Sequence, residues 1–318
     1  MRIALAGYGS RGDVEPCVAV GRELLRRGHD VRMAVPPNML DFVESAGLAA
    51  VDYGPDSQQQ HIAGTNLLRD VANPISVLPE AMEHITQVSA EKLATLTSLA
   101  DGADLVLAGM NEQGLAGNVA EYYGIPLAAL HFFPAQVWSS GWLHGLIANA
   151  VDDAQRRALG LPEAAGSATQ RMVERKSLEI QAYDELCVPG LAAEWAELAG
   201  RRPFVGALTL ELPTGADDEV SSWIAAGTPP IYFGFGSTPV SSPADTVGMI
   251  GAACTQLGER ALICSGANDC RHVTHSDHVK IVGAVDHAAI FPACRAVVHH
   301  GGAGTTAAGM RAGVPTLI

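Results

Sequence analysis

Two glycine-rich turns hold the residues with the most chemical capacity. The first is Gly7-Tyr-Gly-Ser-Arg-Gly-Asp13, which follows the apolar run Arg2-Ile-Ala-Leu-Ala6. Its Gly7, Gly9 and Gly12 match the G-x-G-x-x-G spacing of a dinucleotide-binding turn, where glycines let backbone approach a pyrophosphate at a helix start. The residue closing this turn is Asp13, however, and an ionised carboxylate there repels a phosphate. A dinucleotide site also needs an acid after the second strand to hold the ribose. That strand ends Ala34-Val-Pro-Pro-Asn38, and the nearby Asp30 precedes it. The cofactor reading fails on both counts. A helix start favours the ionised form of Asp13, which suits a base waiting for a hydroxyl proton. The plainer reading, Asp13 as a helix cap, is compatible with that role.

The second turn lies in Val297-Val-His-His-Gly-Gly-Ala-Gly-Thr-Thr306. An apolar strand runs into His299-His300 and the turn Gly301 to Gly304, after which Thr305, a good N-cap residue, is expected to open a helix. Free N–H groups and the dipole at a helix start favour a phosphate. Histidine beside the turn adds a donor that can be charged near neutral pH. The alternative is a tight strand-to-helix turn with incidental histidines.

Other constellations carry less. Cys270, His272, His275 and His278 have metal-ligand residue types but no C-x-x-C spacing, so an exposed His-rich loop competes with a zinc site. No metal is expected. The chain contains no Asp-x-Asp, the element with which metal-dependent sugar transferases grip Mg²⁺, and no Gly-x-Ser-x-Gly of a hydrolase elbow. His131, Phe132 and Trp138 could line an acceptor pocket or form an aromatic core patch around one satisfied histidine.

These turns sit in an alternation of short apolar runs and helical patterns. The expected order is strand 2–6, helix 15–27, strand 30–35, helix 39–46, helix 85–99, strand 105–108, helix 115–123 and strand 125–130. A charge-rich stretch, 152–198, reads as helical, and the turn-rich 207–230 reads as a linker. A second series follows: strand 231–235, helix 245–257, strands 260–264 and 279–282, helix 288–292, strand 296–299, helix 305–311 and a last strand from Gly313. Strands alternating with helices imply parallel, doubly wound sheets. The expected domains are therefore 1–206 and 231–318, in a chain of 318 residues that exceeds what one core needs. The second has room for four or five strands, and its ending inside an apolar strand leaves a sheet edge open; truncation is the expectation.

Composition narrows the class. With 48% hydrophobic residues and a formal charge of −14, the chain is a soluble globular protein with no affinity for phosphate backbones. Nucleic acid is not an expected partner, and oligomeric state is not legible. The six scattered cysteines read as reduced, buried thiols. Charges at Arg11, Asp13 and Glu15 interrupt any signal-peptide core, so a cytoplasmic location is expected. Transient peripheral membrane contact through a local basic patch such as Arg26-Arg27 stays open.

The segment Val297–Pro315 resembles the donor-diphosphate motif of GT-B fold, nucleotide-sugar-dependent glycosyltransferases, in the branch that decorates sterols, glycopeptide antibiotics and macrolides. Ile231-Tyr-Phe-Gly-Phe-Gly-Ser-Thr238 resembles the first strand of that family's donor domain, and 279–300 its path into the motif. Gly9 to Val31 resembles its acceptor-domain signature, and the N-terminal half is most like actinobacterial enzymes acting on cell-envelope peptidolipids. The resemblance implies two Rossmann-like domains facing a cleft, the second incomplete. It implies that Asp13 deprotonates the acceptor and that His300, Gly301, Gly302, Ala303, Gly304 and Thr305 hold the donor diphosphate. Ser237 would approach the phosphates, the Val285 backbone would meet the base, and Ser10 and Gly12 would also touch the donor. The co-substrate would be a UDP- or dTDP-sugar and the acceptor a hydrophobic hydroxylated molecule, with inversion and no cofactor or metal. The chain departs from the family where many relatives carry a base-stacking Trp; here Gly266 is followed by Ala267-Asn268. A nucleotide-sugar 2-epimerase of the same architecture and a non-catalytic acceptor-binding remnant are the alternatives.

Overall fold

In the computed structural model, residues 1–61, 78–134, 142–268, 270, 273 and 276–318 are described. The chain divides into two compact units, Met1–Leu208 and Thr209–Ile318.

The first unit contains strands β1 (Arg2–Ala6), β2 (Asp30–Val35), β3 (Ala49–Asp52), β4 (Leu105–Ala108), β5 (Leu127–His131) and β6 (Leu178–Gln181). Its helices are α1 (Arg11–Arg26), α2 (Leu40–Ser45), α3 (Leu78–Ala100), α4 (Gln113–Tyr123), α5 (Trp142–Ala158), α6 (Ala168–Glu174) and α7 (Leu191–Glu194). The six strands form one sheet in the order β3-β2-β1-β4-β5-β6, and each pairing is parallel. Runs such as Ile3-Ala-Leu-Ala6 are apolar on both sides because helices cover both faces of a parallel sheet. Ile3, Leu5, Met33, Val106 and Leu130 are accordingly buried.

The second unit repeats the plan. It holds α8 (Asp217–Ala225), β7 (Ile231–Gly234), α9 (Pro243–Leu257), β8 (Ala261–Cys264), β9 (Val279–Val282), α10 (His287–Ile290), β10 (Ala296–His299), α11 (Ala303–Ala312) and β11 (Thr316–Leu317). Its strand order is β11-β10-β7-β8-β9, again parallel throughout. Counted within the unit, this is the order of the first sheet without a sixth strand.

Two sequence expectations are corrected. The 152–198 stretch is not wholly helical: Leu178–Gln181 is an edge strand whose register sets Ala128 beside Leu178 and His131 beside Gln181. The charge that disguised it is neutralised at the edge, where Glu179 pairs with Arg202 at 2.9 Å. The expected linker 207–230 is also structured. Val220 and Ile224 of α8 pack in one cluster with Tyr232, Leu262 and Phe291, so most of it belongs to the second unit. Among the described residues, no helix is long and apolar enough to cross a membrane. None of the six cysteines is in a disulfide; five are buried and Cys187 is exposed.

Candidate functional site

Open α/β sheets bind ligands beyond the carboxyl ends of their strands, where the strand order reverses. In the first unit that point lies between β1 and β4, and the residues following those strands are the glycine turn and Asn111. In the second it lies between β7 and β10, which lead into Ser237 and His300. Each sequence-derived turn therefore occupies the switch point of its own sheet.

In the first turn, Ser10 precedes α1 and Asp13 is its third residue. Asp13 Oδ2 accepts from the Ser10 N–H at 2.7 Å and the Ser10 hydroxyl at 2.9 Å. Asn111 Nδ2 donates to the Tyr8 carbonyl at 3.0 Å and, more weakly, to Asp13 Oδ1 at 3.4 Å. Burial raises the Asp13 pKa above the usual carboxylate range, while the Ser10 and Asn111 hydrogen bonds oppose that rise. A carboxylate so placed is a stronger base than an ordinary surface aspartate. The N-cap is therefore Ser10, not Asp13, and the candidate base is the third-residue partner that closes the capping box on it.

One glycine of the turn makes room for that carboxylate. Gly9 has φ +136°, and a Cβ there would lie 2.3 Å from Asp13 Oδ2. A Cβ on Gly7 would meet the Met33 Cε at 3.0 Å, whereas one on Gly12 would meet only Ser10 Oγ at 3.7 Å. Within the dinucleotide-like spacing, Gly9 thus makes room for an anion that the chain itself supplies. The Ser10 hydroxyl, expected to reach the donor, is bonded to Asp13.

Behind the turn lies a buried ionic cluster with no sequence signature. Lys92 Nζ donates to Glu112 Oε1 at 2.5 Å, with the Glu112 side chain 1% exposed. The Tyr53 hydroxyl also donates to Glu112, and the Lys92 ammonium lies 4.0 Å from the Tyr8 ring centroid. Burial, with Glu112 and Asp56 adding to it, pushes the Tyr8 hydroxyl up to about 12. Replacing Lys92 with Met would leave Glu112 buried without its cation, and such a loss costs about 3–5 kcal/mol. Urea unfolding should show that drop; an unchanged midpoint would mean that Tyr53 alone satisfies Glu112.

The other first-unit expectations fare differently. His131 and Phe132 are buried, at 6% and 8% exposure, and Trp138 lies outside the described residues. His131 Nε2 is 3.7 Å from Glu179, yet its pKa falls to about 4, because burial disfavours the charged ring and the nearby Arg202 guanidinium lowers it further. The folded state therefore resists protonation that the unfolded chain accepts below its ordinary 6.5. Stability should fall as pH drops from about 6.5 to about 4, by up to about 1.4 kcal/mol per pH unit, and level off below. Denaturant midpoints across this range test it; a His131→Met variant with the same pH slope would rule His131 out.

In the second unit, the His300 ring lies between two glycines. A Cβ on Gly236 would lie 2.4 Å from its Cε1, and one on Gly302 would lie 2.7 Å from its Nε2. His300 Nδ1 faces the Gly234 carbonyl at 3.4 Å, so it donates and Nε2 is turned toward the helix start. A third glycine joins the layer, since a Cβ on Gly266 would lie 2.1 Å from the Gly236 carbonyl oxygen. Asn268 ties the same loops by accepting from Val240 N at 2.8 Å and donating to the Thr238 carbonyl at 3.1 Å. Asn268 thus works as a loop clamp where the resemblance sets a stacking ring. Ser237, His300, Gly301, Ala303 and Gly304 are exposed around this layer.

Three details of the second turn are corrected. The N-cap is Gly302, and α11 starts at Ala303, so Thr305 sits in the first turn instead of capping it. It is the Thr306 hydroxyl that donates to the Gly302 carbonyl, at 2.9 Å. The Gly301 N–H is not offered outward either, because it donates to His299 Nδ1 at 3.1 Å. The Val285 side chain is buried in the core. Its neighbour Asp286 donates its N–H to Asp217 at 2.9 Å, which anchors that loop to α8. In the His-rich loop, His272 and His275 lie outside the described residues, while Cys270 is buried and His278 bonds Thr255 at 2.7 Å.

Comparison with known proteins agrees with this architecture. Residues 3–136 match the glycosyltransferase family 28 N-terminal domain, and residues 246–318 match the erythromycin biosynthesis protein CIII-like C-terminal domain. An uncharacterized glycosyltransferase of Mycobacterium leprae is 59% identical, the match covering 100% of this chain and 80% of the relative. One from Mycobacterium tuberculosis is 57% identical, with 100% and 81% covered. A glycosyltransferase structure from Streptomyces nogalater shares the fold at a TM-score of 0.66 and 23% identity, covering 99% of this chain and 80% of that one. A Streptomyces glycosyltransferase complexed with thymidine diphosphate does so at 0.64 and 23%, covering 99% and 81%. The fold is thus that of these two-unit glycosyltransferases. The chain belongs to the GT-B glycosyltransferases.

Proposed function

We propose that the protein transfers a hexose or 6-deoxyhexose from a nucleoside diphosphate sugar to a hydroxyl of a hydrophobic acceptor, a lipid or a natural product, with inversion. The observation that carries the donor half is the His300 ring held between Gly236 and Gly302 at the start of α11. It brings the Ser237 loop, an imidazole and free helix-start amides to one exposed place, the donor set that a diphosphate needs. As the sugar–oxygen bond breaks, negative charge grows on the leaving diphosphate. Helix-start amides and His300 are placed to stabilise that charge, so this reading calls for no metal. Asp13 takes the proton of the acceptor hydroxyl while its oxygen attacks the anomeric carbon opposite the leaving group.

The donor is the first thing to test. Titration calorimetry with UDP and with dTDP should give heat for at least one of them, accompanied by a thermal shift. Absence of both signals for both nucleotides would overturn the assignment. Epimerase chemistry would instead yield free epimerised sugar without any acceptor, which product analysis by NMR separates from transfer.

A further inference from the structure

The donor reading gives a task to His300 and none to its neighbour. His299 ends β10 and is 6% exposed. One hydrogen bond orients its ring, from the Gly301 N–H to Nδ1 at 3.1 Å. A ring nitrogen that accepts from an amide carries no proton, so the neutral ring bears its hydrogen on Nε2. Burial favours this neutral form, and His300 reinforces it. Nε2 is itself buried with no hydrogen-bond partner among the described residues. A buried, unsatisfied donor costs stability and calls for an explanation. An aliphatic residue would complete β10 without that cost. What only the histidine adds is the lone pair on Nδ1.

That lone pair acts on the turn. Gly301 has φ +89°, a conformation that favours glycine. With its N–H drawn back toward the strand, the chain leaves Gly301 on course for the helix. The first backbone bond across the turn runs from the Thr306 N–H to the Gly302 carbonyl at 2.9 Å. The amides of the preceding helix-start residues have no carbonyl within the helix to pair with.

We infer that His299 is a positioning residue for the diphosphate cradle: its Nδ1 holds the Gly301 amide and so sets the direction in which the amides from Gly302 to Thr305 face a nucleoside diphosphate. The inference rests on the donor reading of that turn. Two substitutions separate the lone pair from simple packing. His299→Asn places an amide oxygen near the position of Nδ1, where it can accept from Gly301. His299→Leu fills similar space and accepts nothing.

Calorimetry with UDP and dTDP should show His299→Leu binding about tenfold more weakly and His299→Asn within about threefold of the parent, the scale of one positioning hydrogen bond. Amide exchange should show the Gly301 proton protected in the parent and in His299→Asn, and unprotected in His299→Leu. Parent binding that His299→Leu leaves unchanged, or that both variants weaken alike, overturns the positioning role alone. Failure of the parent to bind either nucleotide overturns the donor reading, and this inference with it.

Discussion

Asp13→Asn is expected to lower sugar transfer by about 10²–10⁴-fold, the usual worth of a positioned general base, while leaving nucleotide affinity unchanged. The substitution suits the site, because an amide oxygen can still accept from the Ser10 N–H that now bonds Asp13 at 2.7 Å. It preserves the cap and removes the basic lone pair. A near-normal rate in a radiolabelled-sugar assay would remove Asp13 from the chemistry and leave it as the partner of the Ser10 cap. The pH profile gives a second reading. Burial raises the Asp13 pKa, so the acid limb of kcat/KM should lie above the ordinary aspartate range. Asn111 donates to the ionised form, hence Asn111→Ala should move that limb further up. A limb that stays put would mean the 3.4 Å contact does not reach the reacting oxygen.

Gly236→Ala is expected to weaken nucleotide binding by about 10–100-fold, or about 1.4–2.8 kcal/mol, with unit folding retained. Two causes combine. The residue has φ +56°, where a side chain costs about 1–2 kcal/mol. The new methyl would also lie 2.4 Å from the His300 Cε1. The imidazole also lies close to the turn beyond it, where a Cβ on Gly302 would lie 2.7 Å from Nε2. It must leave the layer or push the Ser237 loop outward, and either motion spoils the cradle. Calorimetry with UDP and dTDP measures the effect; parent-like affinity would mean that His300 does not hold the ligand.

Most strand-and-helix alternation was legible in the residues. Strands at 30–35, 105–108, 279–282 and 296–299 fall where apolar runs end in turn residues, because backbone preference and hydrophobic period are properties of neighbouring residues. Two misreadings share one cause. Leu178–Gln181 carries a charge in its middle, and α8 begins in a run of Asp and Gly, so local composition argued for helix and linker respectively. Only the partners overrode it: Arg202 neutralises Glu179, and Tyr232 shares a core with Val220 and Ile224.

The sequence by itself determined that two glycine turns follow two apolar strands and that one carries a carboxylate and the other a pair of histidines. These follow from residue type and spacing within about ten positions. The tertiary structure alone decided what each glycine makes room for, that Asn111 and His299 serve the turns, and that Gly301 withholds its amide. Asn111 meets Asp13 across 98 residues of chain, and Gly236 meets His300 only because β7 and β10 are neighbours in the sheet. Contacts of that kind depend on strand order and register, which no short window of residues contains.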